Sequence, residues 1–89
     1  MELKPITTFR FTSHALYEMA RRRINESEVT QVLAKPEQLQ MVRAGRAVYQ
    51  ARQGEPPEEY LLRVFVDVSD NPPSVVTVYR TSKIRKYWS

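Results

Sequence analysis

The sequence predicts an α+β fold, two N-terminal helices packed on a four-stranded antiparallel sheet. Three observations carry this: two capped helix starts before Pro36, a change from a helical to a two-residue apolar period after it, and turn residues that cut the later segment into four strands.

The first helix is predicted over residues 13–22. Thr12 is its N-cap, Phe11 and Leu16 occupy the two positions of a hydrophobic staple, and Ala15, Leu16, Met19 and Ala20 supply the apolar stripe. The second is predicted over residues 26–34. Asn25 caps it, Glu28 is placed to answer as capping-box partner, Ile24 staples Val29, and Val29, Val32 and Leu33 form the buried stripe. Pro36 ends it, because the residue before a proline is pushed out of the α region.

The predicted sheet runs over residues 37–81. Leu39 and Met41 alternate with Gln38, Gln40 and Val42; Ala44-Gly45 offers a hairpin turn into Arg46–Arg52; Gly54–Glu59, with Pro56 and Pro57, is an exposed loop. Tyr60–Val68 is the strongest strand, with Leu62, Val64, Val66 and Val68 on one face and Arg63, Phe65 and Asp67 on the other. Asp70–Pro73 turns the chain into Val75–Thr81, and residues 82–89 form a basic, aromatic tail. The order of the strands is left open, since the last could pair beside the first.

Eighty-nine residues, 42% of them hydrophobic and 27% charged, fit one compact unit spanning 1–89. With no cysteine there is no disulfide framework, thiolate metal site or cysteine nucleophile, a composition that suits a reducing compartment. No apolar run approaches the roughly 20 residues that span a bilayer, and the start lacks the apolar segment of a signal peptide. A cytoplasmic location is the expectation. Fourteen Lys and Arg against ten Asp and Glu give a net charge of +4, the sign that suits a phosphate-bearing partner.

His14, the only histidine, falls in the first turn of the first helix. The positive end of the helix dipole favours a neutral ring able to accept a proton there, whereas Glu18 one turn later favours the charged form. Arg21, Arg22 and Arg23 end that helix, where cations complement bare carbonyls or where a guanidinium fork holds a phosphate. Arg46, Arg52, Arg63 and Arg80 stand on the strands with Tyr49, Phe65 and Tyr79, followed by Lys83, Arg85, Lys86, Tyr87 and Trp88. Rings interleaved with cations are what single-stranded RNA needs, since rings stack bases while cations meet phosphates. The competing role for these aromatics is plain core or edge cover. One histidine and scattered carboxylates give no metal-ligand spacing, and with two glycines there is no phosphate loop, so neither metal nor cofactor is expected.

Phe11-Thr12-Ser13-His14-Ala15, Met19, Arg22, Ile24, Val29, Val32-Leu33, Pro36-Glu37 and Val76-Thr77-Val78-Tyr79 together resemble a bacterial domain-of-unknown-function family, number 4258. That family is commonly grouped with small ribonuclease toxins of the RelE and barnase-like kind, whose fold is helices followed by a four-stranded antiparallel sheet. The resemblance implies that His14 and Arg22 matter most and that the sheet near Tyr79 and Arg80 lines an RNA cleft. Two departures stand out: Glu18 where the pattern usually has arginine, and Arg23 where it usually has glycine.

The function expected is therefore a metal-independent endoribonuclease of toxin–antitoxin type. His14, Arg22, Arg63, Arg80 and Lys83 are its catalytic candidates, and Arg21, Arg46, Tyr79, Lys86 and Tyr87 its RNA-binding ones. RNA is the expected partner, with an antitoxin protein as a second and no membrane. The alternative is a non-catalytic RNA-binding or regulatory module that keeps the toxin fold.

Overall fold

The structure, a computed structural model, describes residues 3–89. Its elements in chain order are β1 (Arg10–Phe11), α1 (Ser13–Arg22), α2 (Glu26–Ala34), β2 (Gln38–Arg43), β3 (Arg46–Gln53), β4 (Tyr60–Asp67), β5 (Ser74–Thr81) and α3 (Ile84–Tyr87).

Both long helices start at their expected caps. The Thr12 hydroxyl accepts from the Ala15 amide at 3.1 Å and Asn25 Oδ1 from the Glu28 amide at 2.9 Å, each satisfying one of the donors a helix start leaves bare. The end of α1 is less usual. Arg23 adopts a left-handed φ of 57° while its amide and that of Ile24 bond back to Ala20 and Met19. A side chain there is strained, which explains why glycine is the ordinary choice.

The strands form one mixed sheet in the order β1-β5-β4-β3-β2. β2 to β5 are a simple antiparallel meander, so β5 does not return beside β2. The expectation of a four-stranded antiparallel sheet needs correction, because β1 adds a fifth strand, parallel to the start of β5, with Arg10 opposite Ser74. Two residues cannot show a period, and their pairing is made by tertiary contact: the Arg10 amide donates to Pro73 and the Thr12 amide to Val75 as the chain enters α1.

The two helices cover one face. Ala15, Met19, Ile24, Val29, Val32 and Leu33 pack on Ala47, Tyr49, Ala51, Leu62, Val64, Val66, Val75 and Val78 in one cluster. The N-terminal segment straps it, with the Ile6 amide donating to Leu33 and the Tyr49 hydroxyl to the Lys4 carbonyl. The stripe expected for α1 is corrected in one respect: Leu16 and Ala20 are exposed, and Glu18 is buried beside Ala15 and Met19. The helix is turned so that Glu18 and Arg22, not Leu16 and Ala20, lie against β5. Residues 82–89 are likewise no free tail, since α3 folds back over the other face of the sheet.

Two stability measurements follow. Leu33→Ala should cost about 2–5 kcal/mol by urea unfolding, as truncating a fully buried leucine leaves a cavity among α2, β3 and β4. Arg23→Gly should raise stability by up to about 1 kcal/mol, because it removes the left-handed strain while keeping the carbonyl that Arg80 uses; a loss would show that the Arg23 side chain contributes more than its backbone costs.

Candidate functional site

On the face that α1 and α2 leave uncovered, β4 places Arg63 between Gln50 of β3 and Tyr79 of β5. The side chain lies along the sheet at 8% exposure. Its Nε donates to Gln50 Oε1 at 2.9 Å and its Nη1 to the Tyr79 hydroxyl at 2.6 Å. Three rings surround the guanidinium, with centroids 4.1 Å (Tyr87), 5.2 Å (Phe65) and 5.7 Å (Tyr79) from its central carbon. Phe65 and Tyr79 are stacked at 6.0 Å, and Tyr87 meets Tyr79 edge-on at 6.4 Å.

Buried charges are ordinarily paired. Among the described residues no carboxylate forms an ion pair with Arg63, whereas Arg10, Arg21, Arg22, Arg46, Arg52 and Arg80 each have one. Arg63 is thus a dehydrated cation held by neutral dipoles and π faces, an environment that favours an added anion.

The roof of this site is the C-terminal segment. Gln50, 3% exposed, donates through Nε2 to the Tyr87 carbonyl at 3.0 Å and to Gln38 Oε1 at 2.8 Å. Gln38 in turn donates to the Ser89 carbonyl and accepts from the Ser89 amide, while Trp88 lies 4.4 Å from Arg52, which Glu37 holds from behind. Tyr87 is thereby fixed over Arg63. The Tyr79 hydroxyl beside it, then Lys86 and the charge of Arg63, lower the Tyr87 phenol from its ordinary value against the opposing effect of desolvation.

α1 forms one wall. Arg22 Nη1 donates to the Val78 carbonyl at 2.8 Å, on the edge of β5, and its guanidinium carbon lies 6.0 Å from the Tyr79 ring centroid. Glu18 binds both Arg21 and Arg22, so the expected reversal of charge beside His14 is instead the clamp that aims Arg22. The Arg21 hydrogen bond foremost, with the charges of Arg21, Arg22 and His14, holds the Glu18 carboxyl below its usual range although burial opposes it.

Five of the residues expected to carry function therefore meet around Tyr79: Arg22, Arg63, Tyr79 itself, Tyr87 and Lys86, whose Nζ is 5.3 Å from the Tyr87 ring centroid. Arg21 stands at their rim on Glu18. His14 and Arg46 lie apart from that group, in a shallow depression of about 480 Å³ that they share with Thr12, Val76 and Thr77, and Arg46 is already neutralised by Asp67 at 2.7 Å. Arg80 does not belong to the site: its strand position opposite Leu62 turns it to the helix side, where it donates to the Arg23 carbonyl and faces Glu28. Lys83 is exposed at the start of α3, its amide bonded to Thr81. Sequence reasoning missed Gln38 and Gln50, whose only signal was an amide on each of two paired strands. Among the described residues no three of His, Asp and Glu gather where a metal ion would be held.

The Glu18 clamp has a pH signature. A carboxyl whose folded pKa lies below the ordinary 4.5 contributes stability that is present above that value and lost as pH falls through the folded pKa. Thermal midpoints of the wild type should therefore decline on the acid side of about pH 4.5, and Glu18→Gln should flatten this acid limb. An unchanged limb in the variant would show that Glu18 contributes no such term.

A family model described as a domain of unknown function, DUF4258, matches residues 11–80. Searches of curated proteins and of solved structures each found no match. The matched stretch contains His14, Glu18, Arg22, Arg63 and Tyr79 and stops before Lys86 and Tyr87, and because it covers well over half of the chain, the protein belongs to the DUF4258 family.

Proposed function

We propose that this protein is a metal-independent endoribonuclease of the toxin type, taking single-stranded RNA on the sheet face opposite α1 and α2. The observation that carries the reading is the dehydrated Arg63 guanidinium, without a carboxylate partner, beneath a phenol of lowered pKa. The resemblance to RelE and barnase-like ribonuclease toxins agrees with it.

In this reading the backbone phosphate of RNA binds Arg63, and Arg22 faces the same ring from the α1 wall. Tyr87, whose phenol is held below its ordinary value, is assigned as the general base: after giving its own proton to solvent it takes that of the ribose 2′-hydroxyl. That oxygen attacks the adjacent phosphorus, the bond to the 5′-oxygen breaks, and the departing oxygen is protonated by Lys86 or water, leaving a 2′,3′-cyclic phosphate and a 5′-hydroxyl. Arg63 and Arg22 stabilise the charge that develops on the phosphorane. Phe65 and Tyr79 offer stacking surfaces for the flanking bases. Proton transfer thus moves from His14, the first candidate in the sequence, to Tyr87, because His14 lies in the separate depression beside Thr77.

A second reading, an RNA-binding module without chemistry, is favoured by that same separation of His14 and by the turning of Arg80 to the helix side.

Tyr87→Phe keeps the ring over Arg63 and removes the acid–base group. It should lower cleavage by about 100- to 10,000-fold while leaving RNA affinity within a few-fold. Arg63→Met, similar in volume, should weaken RNA binding and make the slope of log affinity against log salt shallower by about one. His14→Ala should change cleavage little; a loss in the range given for Tyr87 would return proton transfer to His14. If neither free RNA nor ribosome-bound RNA is cut by the wild type, yet binding remains salt-dependent and needs Arg63, the module without chemistry is the correct reading.

A further inference from the structure

The two edges of the sheet are treated differently. Along β5, β1 pairs with the first residues, the Thr12 amide takes the Val75 carbonyl and Arg22 takes that of Val78. Among the described residues β2 at the other edge has no strand or helix beyond it, and its last four residues are exposed. Met41 and Val42 are 44% and 43% exposed there. An uncovered edge strand bearing apolar side chains is a template for pairing with another chain.

Charge selects the occupant. In a chain that is 27% charged with a net charge of +4, Gln38-Leu39-Gln40-Met41-Val42 carries no charge at all. A polyanion or an acidic partner is recognised by cations, which this strip lacks. Two copies of one chain with a net charge of +4 repel overall, and an uncharged strip is where they meet at least electrostatic cost.

The strand is also complementary to itself. Leu39 and Met41 lie on the helix side of the sheet, opposite Tyr49 and Ala47, and Leu39 already packs against the core; Gln40 lies on the other side, opposite Val48. An antiparallel pairing centred on Gln40 sets Leu39 opposite Met41 of the second copy, and Met41 opposite Leu39. It sets Gln40 opposite itself and brings Arg43 toward the end of the second strand where Glu37 stands.

We propose that β2 pairs antiparallel with β2 of a second copy about a two-fold axis at Gln40, joining two sheets into one and placing the two faces that carry Arg63 on the same side. A contact confined to one strand is smaller than the roughly 800 Å² per partner of standard stable complexes, so the dimer is weak and concentration-dependent.

Sedimentation of the full chain from about 10 µM to about 1 mM tests this, a range chosen for weak association. The wild type should shift from monomer to dimer. Gln40→Lys and Gln40→Glu, each at an exposed position, should both stay monomeric, because like charges then face each other across the axis. An equimolar mixture of the two variants should dimerise again. Wild type that stays monomeric throughout, or single variants that dimerise like wild type, would overturn the proposal, as would a mixture that fails to associate. Circular dichroism of each variant distinguishes lost pairing from lost folding, and dimerisation is read without RNA, independently of any nuclease activity.

Discussion

An arginine laid flat on a sheet face, nine-tenths removed from water and without a carboxylate beside it, requires compensation from every neighbour it has. Gln50 supplies an amide oxygen and Tyr79 a hydroxyl, and three aromatic rings supply their negative faces. Much of the local structure answers to Arg63. Gln50 is oriented by Gln38 and by the Tyr87 carbonyl, so the amide that holds the guanidinium also ties down the C-terminal segment. The ring that closes over Arg63 is thus delivered by a backbone bond to the residue that steadies it from below.

The α1 side of the site follows the same logic with opposite components. A carboxylate taken to 10% side-chain exposure needs cations, and Arg21 and Arg22 provide them from the next turn of the helix. Arg22 meets Glu18 through Nη2 and donates from Nη1 to the Val78 carbonyl, a backbone group on the β5 edge. Helix orientation, edge protection and the position of a second guanidinium near Tyr79 are three results of one pair of contacts. The exposure of Leu16 follows from the same rotation, since Glu18 and Leu16 cannot both face the sheet.

What the sequence made legible was local. Thr12 and Asn25 are read as caps because capping needs only a side-chain oxygen that accepts from the backbone amide three residues on, and the alternation from Leu62 to Val66 is read as a strand because its period is written in consecutive residues. β1 was hidden because two residues carry no period, and the burial of Glu18 because an acid on a short helix ordinarily faces water. Arg63 and Tyr79 were identifiable as neighbours of opposite character on polar strand faces, yet nothing local told that Arg63 lacks a counter-ion or that Arg80 faces the helices. That difference is set by strand parity: Arg80 is one residue beyond Tyr79, and one residue reverses the face.

Net charge also says less than its distribution. Arg21, Arg22, Arg46, Arg52 and Arg80 bring most of the positive charge to the strands and α1, but each spends it on a nearby carboxylate. A diffuse basic surface attracts any polyanion and loses that attraction to salt. A single dehydrated guanidinium is different, because its interaction with an anion is screened little by solvent and is felt at a defined point between defined rings. Among the described residues Arg63 is a buried arginine without a carboxylate beside it, and the lowered phenol of Tyr87 follows first from the Tyr79 hydroxyl, then from Lys86 and, last, from the charge of Arg63.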